Sequence, residues 1–127
     1  MRMRGLILLF VLGATAAPLA AADTHADAKK QVEFGITVAQ KGLWREAIYR
    51  WERAVQIDPK YAEALNDLAI AYEHEGDLEK ARVAYEKALN LQPDNAQIKQ
   101  NYELFKEIND RTTRKDSQDS GDDQDSQ

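Results

Sequence analysis

The sequence predicts an all-α fold: an α-solenoid of about five helices stacked as helix-turn-helix pairs. Three observations carry this. Laid over each other without a gap, residues 28–61 and 62–95 coincide at Ala28/Ala62, Ile36/Ile70, Gly42/Gly76, Ala47/Ala81, Glu52/Glu86, Ala54/Ala88 and Pro59/Pro93. On both sides of each glycine the apolar residues recur at three- and four-residue spacings, the period of an amphipathic helix. The chain is also short, 127 residues with 6 glycines, 3 prolines and no cysteine, so it is neither a Pro/Gly-rich polymer nor a disulfide-stapled scaffold. A fixed 34-residue period with matched residue sizes marks a repeated supersecondary unit that buries its core against its neighbours.

The first 22 residues read as a secretory signal peptide rather than as fold. They open with Arg2 and Arg4, continue through the apolar run from Leu6 to Leu12, and end in Ala20-Ala21-Ala22 before Asp23. A bilayer needs about 20 apolar residues to be crossed comfortably, and this run is interrupted by Gly13, Thr15 and Pro18. Cleavage is the expectation. The chain meets a membrane only if the segment is retained as an anchor, and either route exports the remainder of the chain. The alanine-rich leader favours a bacterial periplasm or cell envelope, with secretion as the alternative. Residues 23–27, including His25, form a short linker on this reading.

In each repeat, residues 28–61 and 62–95, the glycine (Gly42, Gly76) ends the first helix in a left-handed turn that costs glycine little. In the second helix Ala47 and Ala54, like Ala81 and Ala88, are small residues one heptad apart that let helices approach closely, and Trp51 and Tyr85 between them are the large knobs. Asp58-Pro59 and Pro93-Asp94 mark the ends of the second helices, and Asp27 and Asp58 are candidate N-caps. Residues 96–109 supply one capping helix with Ile98, Tyr102, Phe105 and Ile108 on one stripe. Residues 110–127 are without an aliphatic or aromatic side chain and are expected to be a disordered, polar, acidic tail.

The sequence resembles the tetratricopeptide repeat family. That pattern has a large apolar residue at position 4, Leu at 7, a small residue at 8, Tyr at 11, Ala at 20, an aromatic at 24, Ala at 27 and Pro at 32. Residues 62–95 follow it with Leu65, Leu68, Ala69, Tyr72, Ala81, Tyr85, Ala88 and Pro93. Residues 28–61 follow it more loosely, with Phe34, Gly35, Ala47, Trp51, Ala54 and Pro59, but place Gln31 at position 4 and Val38 at position 11, as suits a terminal repeat with one face in solvent.

The resemblance implies a groove lined by the first helix of each pair that holds a protein or peptide partner. By position, the lining would be Lys29, Val32, Ile36, Ala39 and Gln40, then Glu63, Asn66, Ile70, Glu73 and His74, then Gln97, Gln100 and Leu104. Val32, Ile36, Asn66, Ile70, Glu73, His74 and Leu104 are the candidate site residues, with Ile36, Ile70 and Leu104 as an aliphatic strip. The family's chaperone-type clamp for a C-terminal carboxylate would fall on Val32, Ile36, Asp67, Gln97 and Asn101; none is a cation, and Asp67 would repel the ligand.

Other chemistries find little to work with. With no cysteine, two histidines, no glycine-rich phosphate loop and no zincin motif, the sequence proposes no catalytic, cofactor or metal residues. Trp44, at the start of a second helix, is either a binding aromatic or packing against the preceding turn. Net charge is −5, and −7 once Arg2 and Arg4 leave with the leader (15 basic residues against 22 acidic), which disfavours nucleic acid as a partner. The expectation is an exported, non-enzymatic scaffold for protein–protein interaction. The alternatives are a self-associating structural module and an accessory subunit of an envelope enzyme or secretion complex.

Overall fold

The computed structural model describes the backbone of residues 17–122 and the side chains of residues 21–115. The basic start and apolar run of the expected signal peptide lie outside the described residues. Five helices succeed one another: α1 (Ala17–Ala39), α2 (Trp44–Ile57), α3 (Ala62–His74), α4 (Leu78–Leu91) and α5 (Ala96–Asp122). Each packs on the next in chain order, α1 on α2, α2 on α3, α3 on α4 and α4 on α5, and α5 also touches α3. The expected all-α stack of two helical hairpins and a capping helix is the fold.

The two hairpins turn by the same hydrogen-bonded device. Gly42 and Gly76 have φ of 77° and 79°. At the first turn the Gly42 N–H donates to the Ala39 carbonyl at 2.9 Å and the Leu43 N–H to the Val38 carbonyl at 3.0 Å. At the second, Gly76 donates to Glu73 at 3.0 Å and Asp77 to Tyr72 at 2.8 Å. These are the paired bonds of a Schellman motif, which satisfies carbonyls the helix end leaves open and needs a left-handed residue where each glycine sits. Leu43 and Asp77 then lend their carbonyls to the first bonds of α2 and α4, from Ala47 and Ala81, at 3.0 Å each.

Several boundaries differ from the sequence reading. Residues 23–27 belong to α1, with no glycine between Pro18 and Gly35 to stop an alanine-rich segment. His25 and Asp27 are therefore inside a helix; Asp27 accepts a bond from Lys30 at 2.8 Å instead of capping. Asp58 is the C-cap of α2 rather than an N-cap. One of its oxygens takes the Lys60 N–H at 3.1 Å and the other meets His25 Nδ1 at 2.7 Å. The side-chain cap of α5 is Asn95, whose Oδ1 accepts the N–H groups of Gln97 and Ile98, each at 3.1 Å. α5 also runs on from residue 110 to Asp122, where a disordered tail was expected. At the start of this extension Arg111 pairs with Glu107, and the Thr112 and Thr113 hydroxyls donate to the Ile108 and Asn109 carbonyls.

Alanine sets the helix spacing. Ala28, Ala47, Ala54, Ala62, Ala69, Ala81 and Ala88 are all fully buried, so backbones approach closely while the larger knobs fill between them. The main cluster runs through both repeats, joining Trp51, Leu68, Tyr72 and Tyr85 and ending on Phe105 of α5. A second gathers Ala62, Leu65, Ala88 and Ile98. Capping is thus concrete: the Tyr85 ring lies 5.5 Å from Phe105 and 5.6 Å from Tyr102, removing an aromatic face of repeat two from water.

The glutamate shared by the two repeats serves one role in both. Glu52 on α2 accepts the hydroxyl of Tyr72 on α3, and Glu86 on α4 accepts that of Tyr102 on α5 at 2.9 Å. In each case a second helix is tethered to the first helix of the next unit. Burial and the glutamate together push both phenols above their ordinary range, and the Tyr102 bond holds Glu86 below the ordinary range of a carboxylate.

Candidate functional site

The seven candidate residues do not share one surface. Ile36 and Ile70 are exposed, at 40% and 37%, and line a single open cavity of about 370 Å³ between the first helices of the two repeats. α1 contributes Ile36 and Ala39, the turn after it Gln40, α2 contributes Trp44 and Trp51, and α3 contributes Asp67 and Ile70. The identical isoleucines thus face one hollow because repeat geometry brings equivalent positions of α1 and α3 side by side.

Val32 and Asn66 do not line it. Val32 is 5% exposed, and its carbonyl accepts the indole N–H of Trp51 at 3.2 Å, so it belongs to the α1–α2 core. Asn66 is also 5% exposed, and its Oδ1 takes a hydrogen bond from Asn101 of α5 at 3.0 Å. A buried amide must be partnered, and here the partner ties the capping helix to α3. Val32 is covered by α2, the partner helix of its own hairpin, and Asn66 by the capping helix α5.

Glu73 accepts the hydroxyl of Tyr85 at 3.1 Å and is half-buried. His74 is exposed and stacked on Trp44, ring centroids 4.1 Å apart and planes 21° from parallel. That contact joins the start of α2 to the end of α3 and holds Trp44 at the cavity's edge. Trp44 is therefore packed on one side, as one of its two sequence readings expected, and still partly accessible at the cavity. Leu104 is 54% exposed on α5, outside this cavity.

Sequence reasoning passed over Asp67 as a ligand-facing group, noting it only as the wrong charge for a carboxylate clamp. It is the one charged residue lining the cavity. Burial lifts its carboxyl from the ordinary 3.8 to about 6; a hydrogen bond with the Asn66 side chain pulls the other way, and the Glu63 charge adds to the rise. The signal that could have flagged it is an acid, one helical turn before Ile70, on the face its neighbours share. Among the described residues no three histidine, aspartate or glutamate side chains converge as a metal ion would require. The site is apolar with one acid.

Comparison with known proteins agrees with this architecture. Residues 62–95 match the family described as tetratricopeptide repeat, and residues 38–76 match the one described as TPR repeat. Among curated proteins the chain is 49% identical over 45 residues to the uncharacterized protein ycf37 of Pyropia yezoensis. That alignment covers 35% of this chain and 25% of the relative, so the chain spans about a quarter of the protein it matches. Over residues 38–95, where Gly42 and Gly76 turn the hairpins and Trp51 and Tyr85 fill them, the chain carries tetratricopeptide repeats.

Proposed function

We propose that this protein is an exported, non-enzymatic scaffold that holds a protein or peptide partner in the groove between α1 and α3. Tetratricopeptide repeats suggest a protein–protein interaction scaffold in general. The observation that carries the narrower reading is the pairing of Ile36 and Ile70, two repeat-equivalent aliphatics left in solvent on either side of one cavity. Exposed aliphatics grouped around a hollow, with an aromatic at the edge, mark a contact surface. Export rests on the leader: basic start, apolar run, small residues before Asp23.

The test is a photo-crosslinking residue at position 70 in the native host. Capture of a different protein, lost when Ile36→Glu is added, supports the scaffold. Capture that ignores Ile36→Glu sinks the groove as the working surface. A second reading, self-association, is favoured by Leu104 and Ile108, which are 54% and 49% exposed on α5 at the open end of the stack. Capture of the chain's own copies alone would select it.

A further inference from the structure

We propose that the α1–α3 groove recognises a lysine or arginine flanked by aliphatic residues in an extended or helical segment of its partner. The cation sits on the Asp67 carboxylate, and the flanking side chains lie on Ile36, Trp44 and Ile70. This rests on the groove reading and assigns the partner's chemistry.

Asp67 decides the chemistry because of where it lies. The other cavity-lining side chains are aliphatic or aromatic apart from Gln40. No ion pair among the described residues reaches Asp67, and its nearest charged influence is Glu63, of the same sign. Glu63, Glu33 and Asp58 join Asp67 in acting on the Tyr61 phenol, and Asp58 and Glu63 share a neighbouring hollow with Lys29 and Lys60, neither of which lines the α1–α3 cavity.

Three kinds of occupant can be compared. An anionic segment is repelled. A wholly apolar segment would cover the carboxylate and leave it desolvated with only the Asn66 hydrogen bond and no opposite charge, a costly case for a buried charge. A lysine or arginine supplies the missing charge, and its methylene stem lies along the isoleucines while the head reaches the acid. Trp44 at the edge adds an aromatic face for the cation. The size agrees: about 370 Å³ is near the low end of pockets that enclose a whole small molecule (roughly 300–1,000 Å³), and suits one long side chain with its neighbours.

The experiment selects random linear peptides displayed on phage against the purified full chain and against its Asp67→Asn and Ile70→Glu variants. Circular dichroism and thermal melting verify that each variant is folded. Peptides with lysine or arginine between aliphatics are expected, weakened at least roughly tenfold by Asp67→Asn, as for removal of one partner of a covered charge pair, and lost with Ile70→Glu. Binders without a cation, indifferent to Asp67→Asn but lost with Ile70→Glu, would overturn the chemistry and leave the groove standing. Binders indifferent to both variants would overturn the groove reading too, and recovery of no binder would overturn the basic-segment assignment. Sedimentation of the same samples provides the remaining outcome: a dimer that Ile70→Glu dissociates means a second copy fills the groove, and the basic segment is wrong.

Discussion

The indole of Trp51 occupies the space that a side chain on Gly35 would need. A Cβ built at position 35 would come within 2.5 Å of the Trp51 Nε1, and that nitrogen donates to the Val32 carbonyl at 3.2 Å. The glycine lets α1 and α2 close around a tryptophan. In the second repeat the corresponding pair is Ala69 and Tyr85, a larger small residue facing a smaller ring.

Gly35→Ala therefore has the opposite effect from an ordinary helical substitution. In an open helix, alanine would gain about 1 kcal/mol over glycine. Here the indole must shift, with an overpacking cost of about 1–3 kcal/mol and its buried hydrogen bond strained, so the net expectation is a lower melting temperature. Adding Trp51→Tyr, which recreates the pair of the second repeat, should recover most of the loss. A Gly35→Ala chain that melts as high as the parent would show that Trp51 does not fill the space beside Gly35.

The tyrosine–glutamate tethers give a second expectation. Tyr72→Phe leaves the ring in the core and removes only the hydroxyl bonded to Glu52. A hydrogen bond to a charged acceptor contributes about 1.5–3 kcal/mol, toward the low end here because Glu52 keeps some access to water. Glu52→Gln should cost less, since the amide oxygen still accepts. Equilibrium denaturation of both variants decides it; equal losses would mean the glutamate acts through something other than this bond.

Much of this architecture was legible because it repeats. Gly42 and Gly76 announced their turns, since a left-handed residue at a helix end leaves few choices of side chain. Ala47, Ala54, Ala81 and Ala88 announced close helix packing for the same steric reason. Ile36 and Ile70 were legible as a pair because equivalence in sequence becomes adjacency in a stack. Val32 and Asn66 were misplaced because a position-by-position transfer takes no account of which side chains the neighbouring helices cover, α2 over Val32 and α5 over Asn66. Phe34 departs in the opposite direction: it stands at position 7 of the repeat pattern, where the second repeat buries Leu68, yet is 46% exposed and covered on one side by the Arg50 guanidinium, 4.3 Å from its ring centroid. Asp67 stayed unread for another reason. Its position one helical turn before Ile70 was readable, but its character comes from burial and from the lack of an ion pair among the described residues, which are properties of the fold.

Asp67 makes the last prediction, and its sign comes from the direction of its shift. In the unfolded chain its carboxyl titrates near 3.8 and in the folded chain near 6, so between those values the folded state holds a proton that the unfolded state has lost. The contribution to stability declines as pH rises through that window, and the full penalty, on the order of 3 kcal/mol, is present above about 6. Asp67→Asn removes the charge at every pH. The variant should therefore melt higher than the parent at neutral pH, and the difference should shrink as pH falls toward 4. Taking the difference between the two chains cancels the titration of carboxylates that do not interact with Asp67; the coupling to Glu63 stays in the difference and has the same sign, since losing the Asp67 charge removes a repulsion present only when both are ionised. Melting curves at several pH values provide the check, and a difference that stays constant with pH would mean that Asp67 is solvated and that its burial does not raise its pKa. Binding of a basic segment would act on the same carboxyl, because a cation on Asp67 returns it toward the ordinary carboxylate range. Near pH 5, where the free protein holds the proton, binding should release it; well above pH 7, where the carboxyl is already ionised, binding should exchange no proton there.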